Sequence, residues 1–300
     1  MTMSAASTSL QRTYRYVRLS LVGIVVMLAA AIAVQWINSG PLGSVSAAYY
    51  TAAGPIFVGG VFAVALALLV LSGRSFGQVS LDLAAIVAPL IAVVPAPVFA
   101  GDVPGLTLTC PRGVEPCVPE AFVPAVATGM TALLVTAAVG WGSVFVLAIV
   151  QGAVSRRLLT LVVSGVLIAA TTVWWFAASD SFLRVGHVIA AASFFAFIAL
   201  AALASGIDAG RARAFGYRAV YLTIAIAIVA ILLALLAVVI AGSLGAAVPE
   251  PWGISPVFLG EAAALVLFAA FWVAQTIETW NDPDPTFRSG AAGNRLSAPR

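Results

Sequence analysis

The sequence predicts an all-α protein, a polytopic transmembrane helix bundle of about eight spans with both termini in the cytoplasm. Three observations support this prediction. Hydrophobic residues make up 62% of the 300 positions, charged residues make up 8%, and the mean hydropathy is +1.11. The apolar residues form eight long runs, and nearly all arginines lie in alternate connections between these runs. A water-soluble domain of this length could not bury so much apolar surface in one core, so the bilayer is the predicted solvent.

Each apolar run is interpreted as a spanning helix. Crossing the hydrocarbon takes roughly 20 mostly apolar residues, and a helix bonds its own backbone internally. The predicted spans, in chain order, are Val17–Ile37, Pro55–Leu71, Leu83–Ala100, Val123–Val150, Leu158–Ala178, His187–Ser205, Ala219–Ala241 and Ser255–Ile277.

Two of the runs have particular features. The first follows a basic segment, as a secretory signal does, but Leu19–Ile37 exceeds the roughly 7 to 15 residues of a signal core. We therefore interpret it as a span that is retained. The third contains Pro89, Pro95 and Pro97. These prolines predict a kink or break in its outer half, because each removes a backbone hydrogen bond.

The placement of the arginines predicts the orientation. Cationic residues close to a span are retained on the cytoplasmic side. With the amino terminus inside, only Arg112 and Arg184 lie outside. The arginines on the cytoplasmic side are Arg12, Arg15, Arg18, Arg74, Arg156, Arg157, Arg211, Arg213, Arg218, Arg288, Arg295 and Arg300. An even number of spans then leaves both termini in the cytoplasm of a bacterium, with the bundle in its inner (plasma) membrane.

The chain is predicted to form one domain with two tails. Residues 17–280 form the bundle, because its cytoplasmic loops are short and contain no polar linker. Residues 1–16 and 281–300 are predicted to be mobile cytoplasmic tails, since their ends are rich in Ser, Thr, Ala and Pro. The net charge is +3, but these arginines flank spans rather than form a basic face. The predicted partners are therefore membrane lipids and not nucleic acid.

Cys110 and Cys117 are the only cysteines, and both lie in the predicted extracytoplasmic loop 101–122. Thiols in an oxidising compartment form disulfides, so this pair is predicted to close a small rigid loop. A redox pair or a metal site is the alternative. A metal site would need third and fourth ligands, which the neighbouring sequence lacks, and no metal or other cofactor is predicted.

The candidate functional residues are polar groups near the outer surface. An ionisable group at the centre of a span costs about 2.5 to 3.5 kcal/mol, so those that occur there require an explanation. Glu261 lies about two turns into the last span, His187 begins the sixth, and Ser46, Tyr49 and Tyr50 precede the second. Their similar depth predicts a shared outward-facing pocket that binds a ligand. The alternative is that the tyrosines are interfacial anchors and His187 is a helix-end residue facing headgroups.

Three functions are compatible with such a pocket. The leading one is non-enzymatic: a membrane protein that binds or passes a small or lipidic ligand, or supports envelope organisation. The second is an intramembrane lipid hydrolase in which His187 and Glu261 perform acid/base or metal chemistry. The third is a proton-coupled transporter that depends on Glu261. No spacing of serine, histidine and acid favours a nucleophilic site, so no catalytic residue is assigned.

Four stretches share a pattern of polar and aromatic residues: Ser44–Thr51 with Ile56–Gly59, Asp82–Ile86 with Val94-Pro95, His187–Phe195 with Arg211–Arg218, and Val257–Ala262 with Phe271-Trp272. In this order they resemble an uncharacterised family of small bacterial polytopic membrane proteins. The resemblance implies no known activity, but it places Ser46, Tyr49, Tyr50, His187 and Glu261 where that family keeps its outward polar residues. The chain departs from the pattern at Ala48, where a tyrosine is expected, and at 54–55, where an Arg-Asp pair is expected.

Overall fold

The structure is a computed structural model that describes residues 9–71, 75–110, 113–152, 154–212, 214–246 and 248–280. Within these ranges the chain forms eight α-helices and no β-strand, which confirms the all-α prediction. Short 3₁₀ helices occupy Ser46–Tyr50, Glu120–Phe122 and Pro251–Gly253. The α-helices are α1 (Ser9–Ser39), α2 (Gly54–Val70), α3 (Phe76–Val93), α4 (Val123–Val150), α5 (Val154–Ala177), α6 (Ser179–Arg211), α7 (Phe215–Ser243) and α8 (Pro256–Glu278).

Six of these helices are long and apolar enough to cross a membrane: α1, α3, α4, α6, α7 and α8. Two apolar segments are shorter, namely α2 and Leu161–Ala177 of α5. The 17 residues of α2 extend for roughly 26 Å, slightly less than a hydrocarbon core of about 30 Å. Large apolar side chains such as Val139, Phe176 and Ile226 are exposed on the outside of the bundle. This apolar exterior and the six long helices indicate a membrane protein.

Six helices enclose the main core. α3 packs against α2 and α6, α7 packs between α6 and α8, and α1 closes the ring between α8 and α2. The hairpin of α4 and α5 lies beside this ring and contacts α3 and α6. A second, smaller core of Val94, Val118, Val126, Met130 and Phe182 joins the α4 side to the ring. The bundle is therefore a closed ring with an attached hairpin.

The two ends of the bundle differ, and we name them by what they contain. At the terminal end, α1 begins and α8 finishes. There the Arg15 guanidinium lies 4.5 Å from the Trp280 ring centroid and donates a hydrogen bond to the Trp280 carbonyl. Arg18 similarly donates to the Thr279 hydroxyl. The loop end contains the connections 40–53 and 94–122. The first and last described residues thus lie at the same end of the bundle.

The boundaries of two helices differ from the predicted spans. α3 begins at Phe76 because Ser75 and Gln78 form a capping box. It ends at Val93, since Pro95 forces Val94 out of the helical region. Pro89 lies inside α3, whereas Pro95 and Pro97 follow it. The predicted span Leu83–Ala100 was therefore placed too far along the chain.

α6 begins at Ser179, so His187 lies about two turns inside that helix and not at its end. α1 likewise begins at Ser9, within the segment 1–16 that was predicted as a tail. The remainder of that segment, residues 1–8, and the predicted tail 281–300 lie outside the described residues.

Candidate functional site at the loop end

Glu261 of α8 binds the segment that connects α1 and α2. One carboxylate oxygen accepts a hydrogen bond from the backbone N–H of Ser46 at 2.8 Å, and the other accepts from the Ser46 hydroxyl at 3.0 Å. The backbone of Val45 also hydrogen-bonds to this carboxylate. Glu261 is half-buried, whereas Ser46 is buried. Two of the predicted residues are therefore in direct contact.

The position of Ser46 explains why a carboxylate is placed there. Ser46 is the first residue of the 3₁₀ helix Ser46–Tyr50, and the first N–H groups of a helix have no partner within it. The side chain of the N-cap residue, Val45, makes no capping hydrogen bond. Glu261 takes that role from α8, and a negative charge at a helix N-terminus is favourable. The carboxylate therefore acts as a cap supplied by another helix.

Tyr49 and Tyr50 lie at the end of the same 3₁₀ helix and face the second long connection. The Tyr50 hydroxyl donates a 2.8 Å hydrogen bond to the Ala96 carbonyl. Both rings make edge contacts with Phe122. Burial, together with the neighbouring Tyr49, raises the pKa of Tyr50, so its phenol remains a donor. The tyrosines therefore fasten the 94–122 connection to the start of α2.

His187 of α6 also hydrogen-bonds to a connecting segment. Its Nδ1 lies 2.6 Å from the Val94 carbonyl oxygen. A carbonyl only accepts, so Nδ1 carries the proton, and Nε2 of the neutral ring is an acceptor. The side chain is 1% exposed, and within the described part of the chain Nε2 has no hydrogen-bond partner.

The structure therefore brings the five predicted residues to one end, where they make separate contacts. Ser46, Tyr49 and Tyr50 share one 3₁₀ helix, and Glu261 caps it. His187 and Tyr50 bind carbonyls two residues apart in the α3–α4 connection. Each of these hydrogen bonds involves one or both of the connections 40–53 and 94–122.

A disulfide closes the tip of the long connection at the loop end. Cys110 and Cys117 are bonded, as the sequence predicted. Val98 and Cys117 pair their backbones through two hydrogen bonds of 3.0 and 3.1 Å, and the Ala100 N–H donates to Glu115 at 2.9 Å. Asp102 accepts from the Phe99 N–H at 2.7 Å through its side chain and from the Gly43 N–H at 2.8 Å through its carbonyl. Burial raises the pKa of Asp102.

Two cavities of the bundle, one at each end, are lined by other residues. A wide depression of about 530 Å³ follows the turn between α5 and α6, from Ala177 to Val185. A narrower cavity of about 160 Å³ lies at the terminal end between α1, α3, α6 and α8. None of the five predicted residues lines either cavity.

Sequence reasoning missed the polar lining of the terminal-end cavity. Gln275 donates a 2.8 Å hydrogen bond to Ser205 across the α6–α8 interface. Glu278 accepts one of 2.6 Å from the Tyr221 hydroxyl of α7. Trp272 is 2% exposed and its indole N–H has no partner among the described residues. The available signal was the cluster of polar residues in the last turns of α6 and α8, which includes Ser205, Asp208, Gln275 and Glu278.

Among the described residues, no group of three or more His, Cys, Asp or Glu side chains is placed to hold a metal ion. Comparison of the chain with protein-family models, with curated proteins and with solved structures finds no match.

Proposed function

We propose that this protein is an integral membrane protein whose eight helices all cross the bacterial inner membrane, with both termini in the cytoplasm. Three observations support the proposal. The exterior is apolar, Ser9 and Trp280 lie at the same end, and the described arginines at that end include Arg12, Arg15, Arg18, Arg211 and Arg218. The short helix α2 spans with local thinning of the bilayer or with its ends in the headgroup region.

Labelling of single cysteines in a Cys110→Ser, Cys117→Ser background tests this topology. A membrane-impermeant maleimide added to intact spheroplasts should label Val114→Cys at the loop end and leave Phe215→Cys at the terminal end unlabelled. Both parent residues are exposed. After permeabilisation both should react. The reverse pattern in intact cells would place the terminal end outside and contradict the proposed orientation.

We further propose that the protein binds a small or lipidic ligand and performs no chemistry on it. The observation that carries this proposal is the polar-lined cavity of about 160 Å³ enclosed by four helices at the terminal end. The polar groups at the loop end are engaged with the backbone of the connections, through the Ser46–Glu261, Tyr50–Ala96 and His187–Val94 contacts. Those contacts support an architectural role for the residues that would otherwise be the candidates for catalysis.

Native mass spectrometry of the detergent-purified protein tests ligand binding. A lipid or small molecule retained in a fixed ratio through increasing collisional activation is the expected result. A wild-type protein that retains nothing, both from the membrane and after incubation with total lipid extract, would contradict ligand binding. Metal analysis of the same sample reports any ion that accompanies the ligand.

One observation favours the alternative of an intramembrane lipid hydrolase. His187 presents a buried Nε2 with no partner among the described residues, which is the atom that a general base would use. Proteoliposomes of wild type and of His187→Ala, analysed for released fatty acid, test this alternative. Fatty acid released by the wild type but not by the variant would establish hydrolysis in place of simple binding. Equal background release by both proteins would exclude hydrolysis.

A further inference from the structure

Two side-chain hydrogen bonds hold the beginning of the connection 94–122 against the bundle. Tyr50 binds the Ala96 carbonyl, and His187 of α6 binds the Val94 carbonyl. Val94 follows the last residue of α3 and belongs to the small core that joins the α4 side to the ring. The two bonds therefore fix the place where the chain leaves α3 and enters the connection.

Only one of these two bonds involves a group that titrates near neutral pH. His187 is the only histidine of the chain, and a histidine in water has a pKa of about 6.5. A phenol in water has a pKa of about 10, so the Tyr50 bond does not change under acidic conditions. The two contacts should therefore respond differently when the pH falls.

The surroundings of His187 suit a neutral ring and not a charged one. The side chain is 1% exposed, and its Nδ1 proton is used in the bond to Val94. A second proton on Nε2 would create a cation whose new N–H has no acceptor among the described residues. Removal of an ion from water is strongly unfavourable when no partner compensates for it. The closed arrangement, in which His187 binds Val94, therefore excludes the imidazolium form.

No charged side chain in the described part of the chain compensates for this cost. Burial and the Val94 carbonyl are the two features that act on the protonation of His187, and no charged group is among them. The halves of α1 to α5 and α7 that reach the loop end contain no charged residue. The described ionisable groups of this end, apart from His187, are Tyr49 and Tyr50 of the 3₁₀ helix, Asp102, Glu115, Glu120 and Glu250 of the connections, Asp180 and Arg184 at the start of α6, and Glu261 of α8.

We propose that His187 makes the attachment of the α3–α4 connection to α6 sensitive to pH, so that acid on the side of the loop end releases the connection. On opening, the bond from Nδ1 to Val94 breaks, the ring reaches water, and Nε2 takes a proton from solvent. The open arrangement thus holds one more proton than the closed one. By linkage, its population rises about tenfold for each pH unit below about 6.5. The inference concerns regulation and does not depend on what the protein binds.

The Tyr50 bond and the small core around Val94 oppose opening, so the closed arrangement dominates at neutral pH. Asp102 of the same connection titrates with the opposite effect. Burial raises the pKa of Asp102, and its protonation therefore favours the closed arrangement as the pH falls. A release of the connection by acid has the sign that His187 predicts and not the sign that Asp102 predicts.

Hydrogen–deuterium exchange of the full chain in detergent micelles tests the proposal. The reporters are the N–H groups of Val94 and Val98, which are hydrogen-bonded in the closed arrangement and exchange when it opens. After correction for the intrinsic effect of pH on exchange, their protection in the wild type should fall about tenfold between about pH 6.5 and 5.5. The N–H of Arg218, which is bonded to Ala214 at the opposite end, is the internal control and should keep its protection.

Two kinds of variant separate the response to pH from the attachment itself. His187→Asn retains a side-chain N–H donor for the Val94 carbonyl and cannot titrate, so the protection of the reporters should become independent of pH over this range. His187→Gln, a second variant that cannot titrate, should behave in the same way. Tyr50→Phe removes the other bond and should lower protection about fivefold at every pH, with the pH dependence of the wild type unchanged.

Three results would overturn the proposal. The first is protection in the wild type that stays constant between about pH 6.5 and 5.5, whatever the variants do. The second is the same pH dependence in His187→Asn or His187→Gln, which would assign the effect to a carboxylate. The third is a parallel loss of protection at Arg218, which would assign the effect to unfolding of the whole bundle.

Discussion

The two ends of the bundle use their polar residues differently. At the loop end, Ser46 is paired with Glu261, Tyr50 with Ala96 and His187 with Val94. At the terminal end, polar side chains line a cavity between helices, and the buried Trp272 N–H has no partner in the described part of the chain. The polar residues named at the loop end hold connecting segments in place, and those at the terminal end line a space between helices.

This difference shows that the depth of a polar residue in a membrane helix does not by itself indicate a binding site. A backbone connection that enters the bundle brings its own unpaired N–H and carbonyl groups, and these need side-chain partners. Glu261 and His187 are such partners, for the Ser46 N–H and the Val94 carbonyl respectively. A ligand site instead requires polar groups together with unfilled volume, as between α6 and α8.

The largest expected effect is at Glu261. Replacement by leucine would remove both acceptors of Ser46 and leave the backbone N–H of a buried residue unpaired, at a cost of about 3 kcal/mol in the free energy of unfolding. Glu261→Gln keeps one acceptor and should cost about 1 kcal/mol. Denaturation of the purified protein in mixed micelles measures both values.

Glu250→Gln is the matched control, since Glu250 is exposed and also lies at the loop end, and it should be neutral. Ser46→Ala combined with Glu261→Leu should cost less than the sum of the single changes, because both remove the hydrogen bond from the Ser46 hydroxyl to Glu261. Fully additive costs would mean that the hydrogen bond from the Ser46 hydroxyl to Glu261 contributes nothing to stability.

Removal of the disulfide should have the next largest effect. The bond closes a loop of Cys110 to Cys117, and the chain-entropy estimate for eight residues is about 2.5 kcal/mol. Cys110→Ser with Cys117→Ser should therefore lower the thermal midpoint of the protein. Addition of a reductant should lower the thermal midpoint of the wild type and leave that of the double variant unchanged. A reductant effect in the double variant would show that the midpoint responds to something other than this disulfide.

A smaller cost is expected where α2 begins. A Cβ atom at Gly54 would overlap the Tyr49 carbonyl oxygen of the 3₁₀ helix, so Gly54→Ala should destabilise the protein by about 2 kcal/mol. Gly59→Ala in the same helix meets nothing within 4 Å and should be neutral or stabilising by up to about 1 kcal/mol. Thermal unfolding of the two variants compares them directly. Equal midpoints would mean that the 3₁₀ helix accommodates the added methyl group without a loss of stability.

The smallest expected effect is a pH dependence at Asp102. Burial is the main cause of its raised pKa, with contributions from Glu115 and Glu250, and the Phe99 N–H opposes the shift. The folded protein therefore holds this proton more tightly than the unfolded chain. Stability from this group is complete below the ordinary aspartate pKa of about 3.9 and is lost as pH rises through the raised value. Asp102→Asn should flatten this part of the curve of midpoint against pH, and an unchanged curve would exclude the effect.

Much of the architecture was predictable from the sequence, because long apolar runs specify helices in a bilayer. The all-α class and the Cys110–Cys117 disulfide are confirmed, and each of the eight predicted spans overlaps a helix. The boundaries of α3 and α6 were harder to predict. Ser75 and Gln78 begin α3 through local capping that hydropathy does not register, and α6 extends over polar residues that precede His187.

The candidate site was predicted only in part. From their similar depth, the sequence predicted that Ser46, Tyr49, Tyr50 and Glu261 lie at one end of the bundle. It could not show that Glu261 and Tyr50 bind backbone groups of the connections. Trp272 and Gln275 were not identified, since an aromatic residue or an amide near a helix end is typical of a headgroup anchor. Their common cavity arises from packing between helices that are distant in sequence.

Native mass spectrometry of four variants tests the contrast between the two ends most directly. His187→Asn and Glu261→Gln alter the loop end, and Trp272→Phe and Asp208→Asn alter the terminal end. If the ends act as proposed, the first two variants retain the lipid or small molecule held by the wild type, and the second two release it at lower collision energy. Retention by Trp272→Phe and Asp208→Asn, with loss from His187→Asn and Glu261→Gln, would place the ligand at the loop end and contradict this account.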